Sequence, residues 1–467
     1  MATLVGFFFI GTLLFVHYST RAAPLPSDRP LDVDEVPFPV AGQASTVFSL
    51  TALFGAYYGM LVILGFWALA GLVAGTVLAL VGIRNVTLTA SENRYETFLF
   101  SRLRSLTDTL PIVAPFGVIQ ALFAVSELLV LRRVLEASFG IVPFHATLMA
   151  TFVAIIGYTY SVTGGYNAIF RTDITQLIFV LVMCGVLLAQ FLTGNTKTDT
   201  LAIGERLHGI HSQNWYASTI SRPWLQHVFD FAVALPMGMT FLLTSPDSWK
   251  RVFIVSRKHP GWRAVAYLVA AGALPFVLIL PLAFVARPVR SGAVDPLFIL
   301  QDIGRSRVVM TFTLLGMLSS FLSAFNSAFI SAVHLPLLQA RRWRPIVAEV
   351  HRFRYIAGGI FLLIMLVFGA GIALGNPYAI GNFLLGPYAL AGAIVLGLSG
   401  GRRKINTKWL MWVWSVGLAW WIIYLVPYGR MWTTPSTDEA NTIPPAIAAF
   451  VIVAAIIYLV SKSTKAE

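Results

Sequence analysis

Cysteine occurs once in the chain, at Cys184 inside an apolar run, so no intramolecular disulfide can form. Charge is almost as scarce: only 11% of residues are Asp, Glu, Lys or Arg, against 57% hydrophobic. A mean hydropathy of +0.77 excludes a soluble domain of this size, because so few polar groups cannot cover so much apolar surface. Long polar segments are missing too. The longest, 19–40 and 195–222, are too short to build a separate core. The eight histidines show no metal-ligand spacing, and no nucleophile motif or phosphate loop stands in a fitting context. An enzyme is therefore not expected, and no organic cofactor is implied. Acidic residues number 20 against 33 basic ones, a net charge of +13 that would suit a nucleic acid. The basic residues gather in short breaks between apolar runs, however, which is how cytoplasmic loops of membrane proteins are marked, so no nucleic-acid partner is expected.

What the chain has in abundance is apolar runs of about 20 residues, each long enough to cross a hydrocarbon core of about 30 Å. They predict an all-α polytopic membrane protein in contact with the lipid bilayer, with about thirteen spans. The runs are 2–18, 41–58, 59–83, 108–139, 143–162, 174–194, 223–244, 264–286, 308–335, 355–375, 379–399, 408–426 and 445–461. The second and third share one uninterrupted apolar stretch, so a tight reversal is expected near Gly55 to Gly59. Basic clusters such as "KRVFIVSRKHPGWR", "RRWRPIVAEVHRFR" and "GRRKINTK" fall on one side when the N-terminus is placed outside and the C-terminus in the cytoplasm. The first apolar run has no basic residue before it and Arg21 after it, which fits an uncleaved span better than a signal peptide. The GxxxG pairs Gly55–Gly59 and Gly71–Gly75 predict close helix packing within the monomer. The sequence sets no oligomeric state.

The stretch "YSVTGGYNAIFRTDITQ", 160–176, interrupts this pattern with two glycines and then Arg171, Thr172, Asp173 and Gln176. Such groups are costly in a bilayer unless they lie outside it or have partners within it. The hydropathy reading makes it a short cytoplasmic loop turned by Gly164 and Gly165, with Arg171 in water. Its order of Tyr160, Gly164–Gly165, Ala168, Thr172, Asp173 and Gln176 resembles a signature of the sodium:solute symporter family, with Arg171 where that family usually has Trp. "SPDSWKRVFIVSRKH" (245–259) is similar to the family's segment after core helix six, with Lys250 where a Gln is usual. "SSFLSAFNSAFIS" (319–331) resembles the middle of core helix eight, and "NFLLGPYALAGAIVLGLSGGRRKINTKW" is similar to helix ten and its basic loop.

The resemblance spans residues 41–410 or so and implies two inverted five-helix repeats, with one extra N-terminal and two extra C-terminal spans. Residues 1–40 would be the first span and an arm, 41–400 the core (41–194 and 223–400), and 401–467 the last two spans and a basic tail. It implies a bacterial inner (plasma) membrane protein that carries a small-molecule solute by ion-coupled symport. A transporter-like sensory module and a proton-coupled or sodium-independent carrier remain alternatives. In such folds the first helix of each repeat is broken near the midplane, freeing carbonyls for a cation. Ser45, Ser49 and Gly55 in core helix one, and Pro236 and Gly238 of "ALPMGMT" in core helix six, mark the expected breaks.

Carried over residue by residue, the family's sodium site falls on the carbonyls of Ser45, Phe48 and Ser320 and the hydroxyl of Ser323. The family's second hydroxyl falls on Ala324, a departure. Asp173 would attract an ion on its way to the cytoplasm or, more plainly, cap a helix N-terminus. The solute pocket between helices one, three, six and ten would be lined by Thr51, Tyr57, Thr240, Phe241 and Tyr388. Small or apolar residues such as Ala52 stand where sugar carriers place polar groups, which disfavours a sugar. Two further charged sets are read directly from the residues. His227 and Asp230 share one face at i, i+3 and are the candidates for proton coupling, or else a structural pair. Glu127, Arg132, Arg133 and Glu136 form a cluster on core helix three, expected near the outer surface, with Arg132 and Glu136 in pairing register. An anionic solute is one use for those arginines.

Overall fold

A computed structural model of the chain describes residues 66–89, 110–193, 224–259, 261–285, 307–341, 349–373, 379–400, 405, 407–425 and 451–459. The spans expected at 2–18 and 41–58, and the reversal near Gly55, lie outside the described residues. Within them the fold is all-helical: α1 Phe66–Thr89, α2 Leu110–Phe139, α3 Pro143–Thr193, α4 Trp224–Leu243, α5 Pro246–Lys258, α6 Trp262–Val285, α7 Arg307–Arg341, α8 Glu349–Ala373, α9 Ala379–Gly400 and α10 Thr407–Leu425. A last helical stretch covers 451–459.

Three segments among the described residues are long and apolar enough to cross a membrane by length and composition. They differ in where their surface goes. Val308–Leu335 of α7 is 67% buried by other protein, Pro143–Thr163 of α3 44%, and Phe353–Ala373 of α8 only 22%. Helix α7 is thus the central rod, packed against α2 and α3, while α8 leaves Leu362, Leu363 and Leu366 exposed for lipid. Four shorter apolar helices, within Ala70–Asn85, Thr172–Leu187, Trp262–Leu274 and Gly386–Ser399, accompany them.

The tightest approach is between α1 and α4. Lipid tails are as apolar as leucine, so membrane helices gain from contact mainly when small residues let backbones meet. Gly71 and Gly75 face the carbonyls of Phe231 and Leu235, and Gly238 faces Leu72 and Thr76 in return. A methyl group at any of the three would run into backbone. Thr76 donates to Leu72 O at 2.8 Å and reaches across to Gly238 O at 3.4 Å. The GxxxG pair at 71–75 therefore serves packing inside one chain.

Two expectations about breaks change. Helix α4 runs through Pro236 without interruption, and the chain leaves the helix at Thr244–Ser245 instead. Proline is tolerated in the interior of membrane helices; one turn on, the Thr240 hydroxyl adds a bond to Pro236 O at 2.8 Å. At Thr244–Ser245 the break is real. Ser245 caps α5, accepting from Ser248 N at 3.3 Å, with Pro246 in the first turn. The carbonyls that the break releases are taken by side chains: Trp249 Nε1 donates to Leu243 O at 3.1 Å, and Gln120 Nε2 of α2 donates to Thr244 O at 3.3 Å.

The second change concerns Gly164–Gly165. The backbone stays helical through both glycines, so the expected cytoplasmic loop is instead part of α3. Yet α3 is not straight. Gly157 packs on Asn326 and Asp173 faces Ser323, partners only three residues apart on α7. A straight helix would separate Gly157 from Asp173 by about 24 Å, against about 4.5 Å between those partners. Farther on, Met183 meets Gly316, so the second half of α3 runs antiparallel to α7. The path changes direction between Ser161 and Asp173, a stretch that includes the glycine pair and stays helical.

Candidate functional site

The residues that the opening motif made conspicuous converge with two others that it did not. Asp173 is fully buried inside α3 rather than at a helix N-terminus, so the expectation of a capping role does not hold. Its Oδ2 lies 2.5 Å from Nη1 of Arg251 on α5, and the same guanidinium gives Nε to Asp247 Oδ2 at 2.8 Å. Arg251 is 1% exposed and Asp247 is fully buried. The guanidinium also stands over the Phe170 ring, 4.4 Å from its centroid. From α7, the Ser323 hydroxyl donates to Asp173 Oδ1 at 3.4 Å. One cation is therefore shared by two carboxylates where α3, α5 and α7 meet.

Local sequence explains why α5 delivers these groups. Asp247 sits in its first turn, favoured by the positive end of the helix, and Arg251 follows one turn later on the same face. Nine of the thirteen residues of α5 are buried, so the face carrying Asp247 and Arg251 points into the protein. Burial of ions is repaid only by good geometry and by satisfying what remains. Some donor and acceptor capacity is left over: Asp247 Oδ1 and Arg251 Nη2 have no hydrogen-bond partner among the described residues. The Tyr160 phenol lies beside Thr172 and Gln176 without a well-formed bond to either, so the site holds spare polar groups on the α3 side as well.

Along α7 a polar row continues the contact with α3. Ser161 donates to Asn326 Oδ1 at 3.4 Å, and Asn326 Nδ2 turns back to Leu322 O. Ser319, Ser320, Ser323 and Ser327 are all buried, as is Ala324. Of the sodium-site residues implied by the family resemblance, Ser320 and Ser323 are thus inside the protein, facing neither lipid nor water. Ser45 and Phe48 lie outside the described residues.

The solute-pocket candidates divide in the same way. Thr51, Tyr57 and the Phe241 side chain lie outside the described residues. Thr240 is buried against Gly392 of α9, and one turn earlier on α9 Tyr388 meets Phe123 of α2 edge-on, with ring centroids 6.0 Å apart. Of the proton-coupling candidates, Asp230 is buried on α4, and the half-buried His227 ring lies 6.4 Å from Trp67 of α1. The charged cluster of α2 splits: Arg132 pairs with Glu136 at 2.6 Å, with Arg133 at 3.6 Å from the same carboxylate, whereas Glu127 is fully buried.

Sequence reading did not single out Arg251. The only local signal was the i, i+4 register of Asp247 and Arg251 in "PDSWKR". The pairing with Asp173 spans 78 residues of chain and leaves no periodic trace.

No protein-family model matches the chain, and no curated protein matches it either. Solved structures do. The chain covers 97% of its own length and 97% of a Na+-coupled sialic acid symporter in its substrate-bound, outward-open state, with a TM-score of 0.68 and 14% identity. It also matches Mhp1, a nucleobase-cation-symport-1 family transporter, in a closed conformation with bromovinylhydantoin bound, with a TM-score of 0.51, 16% identity and coverage of 95% and 97%. The chain is an integral membrane protein with the fold of these secondary transporters.

Proposed function

We propose that this chain is an ion-coupled secondary transporter of the sodium:solute symporter type, moving a small solute by alternating access. The observation that carries the reading is the Asp173–Arg251–Asp247 cluster with Ser323. A buried guanidinium shared by carboxylates of two helices is an expensive way to stabilise a fold, since apolar packing would serve as well or better. It is a fitting way to hold one end of a carrier shut, because ionic contacts can be exchanged as helices part. The near-complete match to transporter folds supports it. On this reading the chain has about thirteen spans in two inverted repeats (41–194 and 223–400), N-terminus outside and C-terminus cytoplasmic, in a bacterial inner membrane. The stretch of α3 that holds the glycine pair and Asp173 then faces the cytoplasm.

Sodium would enter as co-transported cargo. Near Asp173 the described residues offer it the Ser323 hydroxyl, while Ala324 offers nothing. A second reading, a sodium-independent carrier, is favoured by Arg251: a guanidinium already resides at the carboxylate beside which a mobile cation would otherwise stand. Uptake of radiolabelled solutes into proteoliposomes under imposed sodium and proton gradients decides. Ion-coupled symport predicts that an inward sodium gradient accelerates uptake several-fold. Uptake that follows only the solute's own gradient would establish the sodium-independent carrier. Solute binding with no uptake under any gradient would favour a sensory module and remove the transport reading.

A further inference from the structure

The basic stretch "KRVFIVSRKHPGWR" has a side that the buried cluster does not use. Helix α5 turns Arg251 inward, whereas Arg257 near its C-terminal end is exposed, with its guanidinium 4.9 Å from the centre of the Phe253 ring. A turn at Gly261, where φ is +69°, leads into α6, and Arg263 at the start of α6 is exposed as well. No acidic residue occurs anywhere from 248 to 294, so the chain supplies neither arginine with a nearby carboxylate of its own. Packing fixes the depth of this turn. Arg84, near the C-terminal end of α1, donates to Gly261 O at 3.4 Å, and farther along α6 Gly272 meets Thr76, Val77 and Leu80 of α1. The apolar stretches Ala70–Asn85 and Trp262–Leu274 thus run antiparallel, and the arginines stand where both of them end. At the same edge Trp262 is 76% exposed, and Tyr267 and Val269 follow along α6 at 42% and 40%. The His259 ring lies against that of Tyr267, with centroids 4.4 Å apart, which ties the end of α5 to α6. Exposed positive charge therefore borders an exposed aromatic and aliphatic face.

We propose that this turn is a docking site for an anionic phospholipid. Arg257 and Arg263 take the headgroup phosphate, and Trp262, Tyr267 and Val269 take the glycerol backbone and the start of the acyl chains. The union of charge with an apolar face selects the occupant. A soluble phosphate would use the arginines and leave the aromatic face bare. A lipid without net charge would cover that face and leave the arginines short of counter-charge. Tryptophan and tyrosine settle at headgroup level because each has an apolar body and a polar tip. Guanidinium grips phosphate oxygens in a planar fork. The occupant also bears on the interior, because α5 carries Asp247 and Arg251 on its buried side. A lipid bridging α5 and α6 from outside holds α5 in place over that cluster. The site requires only a protein seated in a bilayer and does not depend on what that protein carries.

Lipid titration of the detergent-purified protein, followed by thermal shift, tests this. Phosphatidylglycerol is compared with phosphatidylcholine of the same acyl chains and with inorganic phosphate. Phosphatidylglycerol is expected to raise the melting temperature at concentrations about tenfold or more below those phosphatidylcholine needs, and inorganic phosphate to have no such effect. Arg257→Gln and Arg263→Gln are each expected to raise its half-effect concentration about fivefold, the equivalent of about 1 kcal/mol for one basic residue at an anionic surface. Trp262→Ala, which leaves the charge untouched, is expected to raise it several-fold. Arg354→Gln removes an exposed arginine from α8 and is expected to change nothing. Equal stabilisation by the two lipids, or by inorganic phosphate, overturns the proposal. So does an effect of Arg354→Gln as large as those of the α5–α6 variants, which would mean general attraction to charge. Transport is not read in this titration, so the carrier reading can fail without it, and it can fail without the carrier reading.

Discussion

Arg251→Gln is expected to cost the fold about 3–5 kcal/mol, because it strands two buried carboxylates, Asp173 and Asp247, without their shared counter-charge. Glutamine retains two donors but is shorter and carries no charge. The expected readout is a large fall in the melting temperature of the detergent-solubilised protein and loss of solute uptake. If the effect comes from the uncompensated charge, removing the charges that need Arg251 should relieve it. The triple variant Asp173→Asn, Asp247→Asn, Arg251→Met is therefore expected to recover most of the stability, since apolar replacement of a complete buried ionic set is often neutral. Uptake should stay impaired in the triple variant if the set times the opening of the carrier. Wild-type stability in Arg251→Gln would mean that the guanidinium is not at the centre of the contact.

The second large effect is expected at the α1–α4 crossing. Gly75→Ala places a methyl against the Leu235 carbonyl, a backbone atom that can yield only if the two helices separate. Overpacking of this kind costs about 1–3 kcal/mol, more where backbone must move. Gly82 lies on the same helix with open space where a Cβ would be. Gly82→Ala is expected to be neutral or to stabilise by up to about 1 kcal/mol through helix propensity. Melting temperatures of the two variants should therefore move in opposite directions. Equal, small shifts would show that α1 and α4 do not approach at their backbones.

Much of the helical frame was legible because a bilayer forces long apolar runs to be helices. The runs at 108–139, 223–244, 264–286 and 379–399 match α2, α4, α6 and α9 within a few residues at their ends. Residues that punctuate soluble proteins misled. Gly164 and Gly165 allow a turn without compelling one, and the backbone stays helical through both. Pro236 invites a break that α4 does not take, while Thr244–Ser245 breaks because Pro246 and Ser245 together start a new helix. The site was half legible. Asp173 and Ser323 stood out as polar groups in apolar surroundings, but their relation to each other and to Arg251 is set by how α3, α5 and α7 pack. Glu127 lay in a run with Arg132, Arg133 and Glu136, and only the fold separates the buried carboxylate from the partly exposed pairs.

On the proposed function, Ser323 faces a closed ionic contact that opens during transport. Thiol accessibility measures this most directly. Cys184 is the sole native cysteine and is buried, so Cys184→Ser gives a background in which Ser323→Cys is the only target. A membrane-impermeant thiol reagent applied to inside-out vesicles should react slowly with it. Reaction should quicken about tenfold or more when Asp173→Asn loosens the contact while Arg251 keeps Asp247. Rapid labelling in both backgrounds, or a slow rate that Asp173→Asn leaves untouched, would contradict the account.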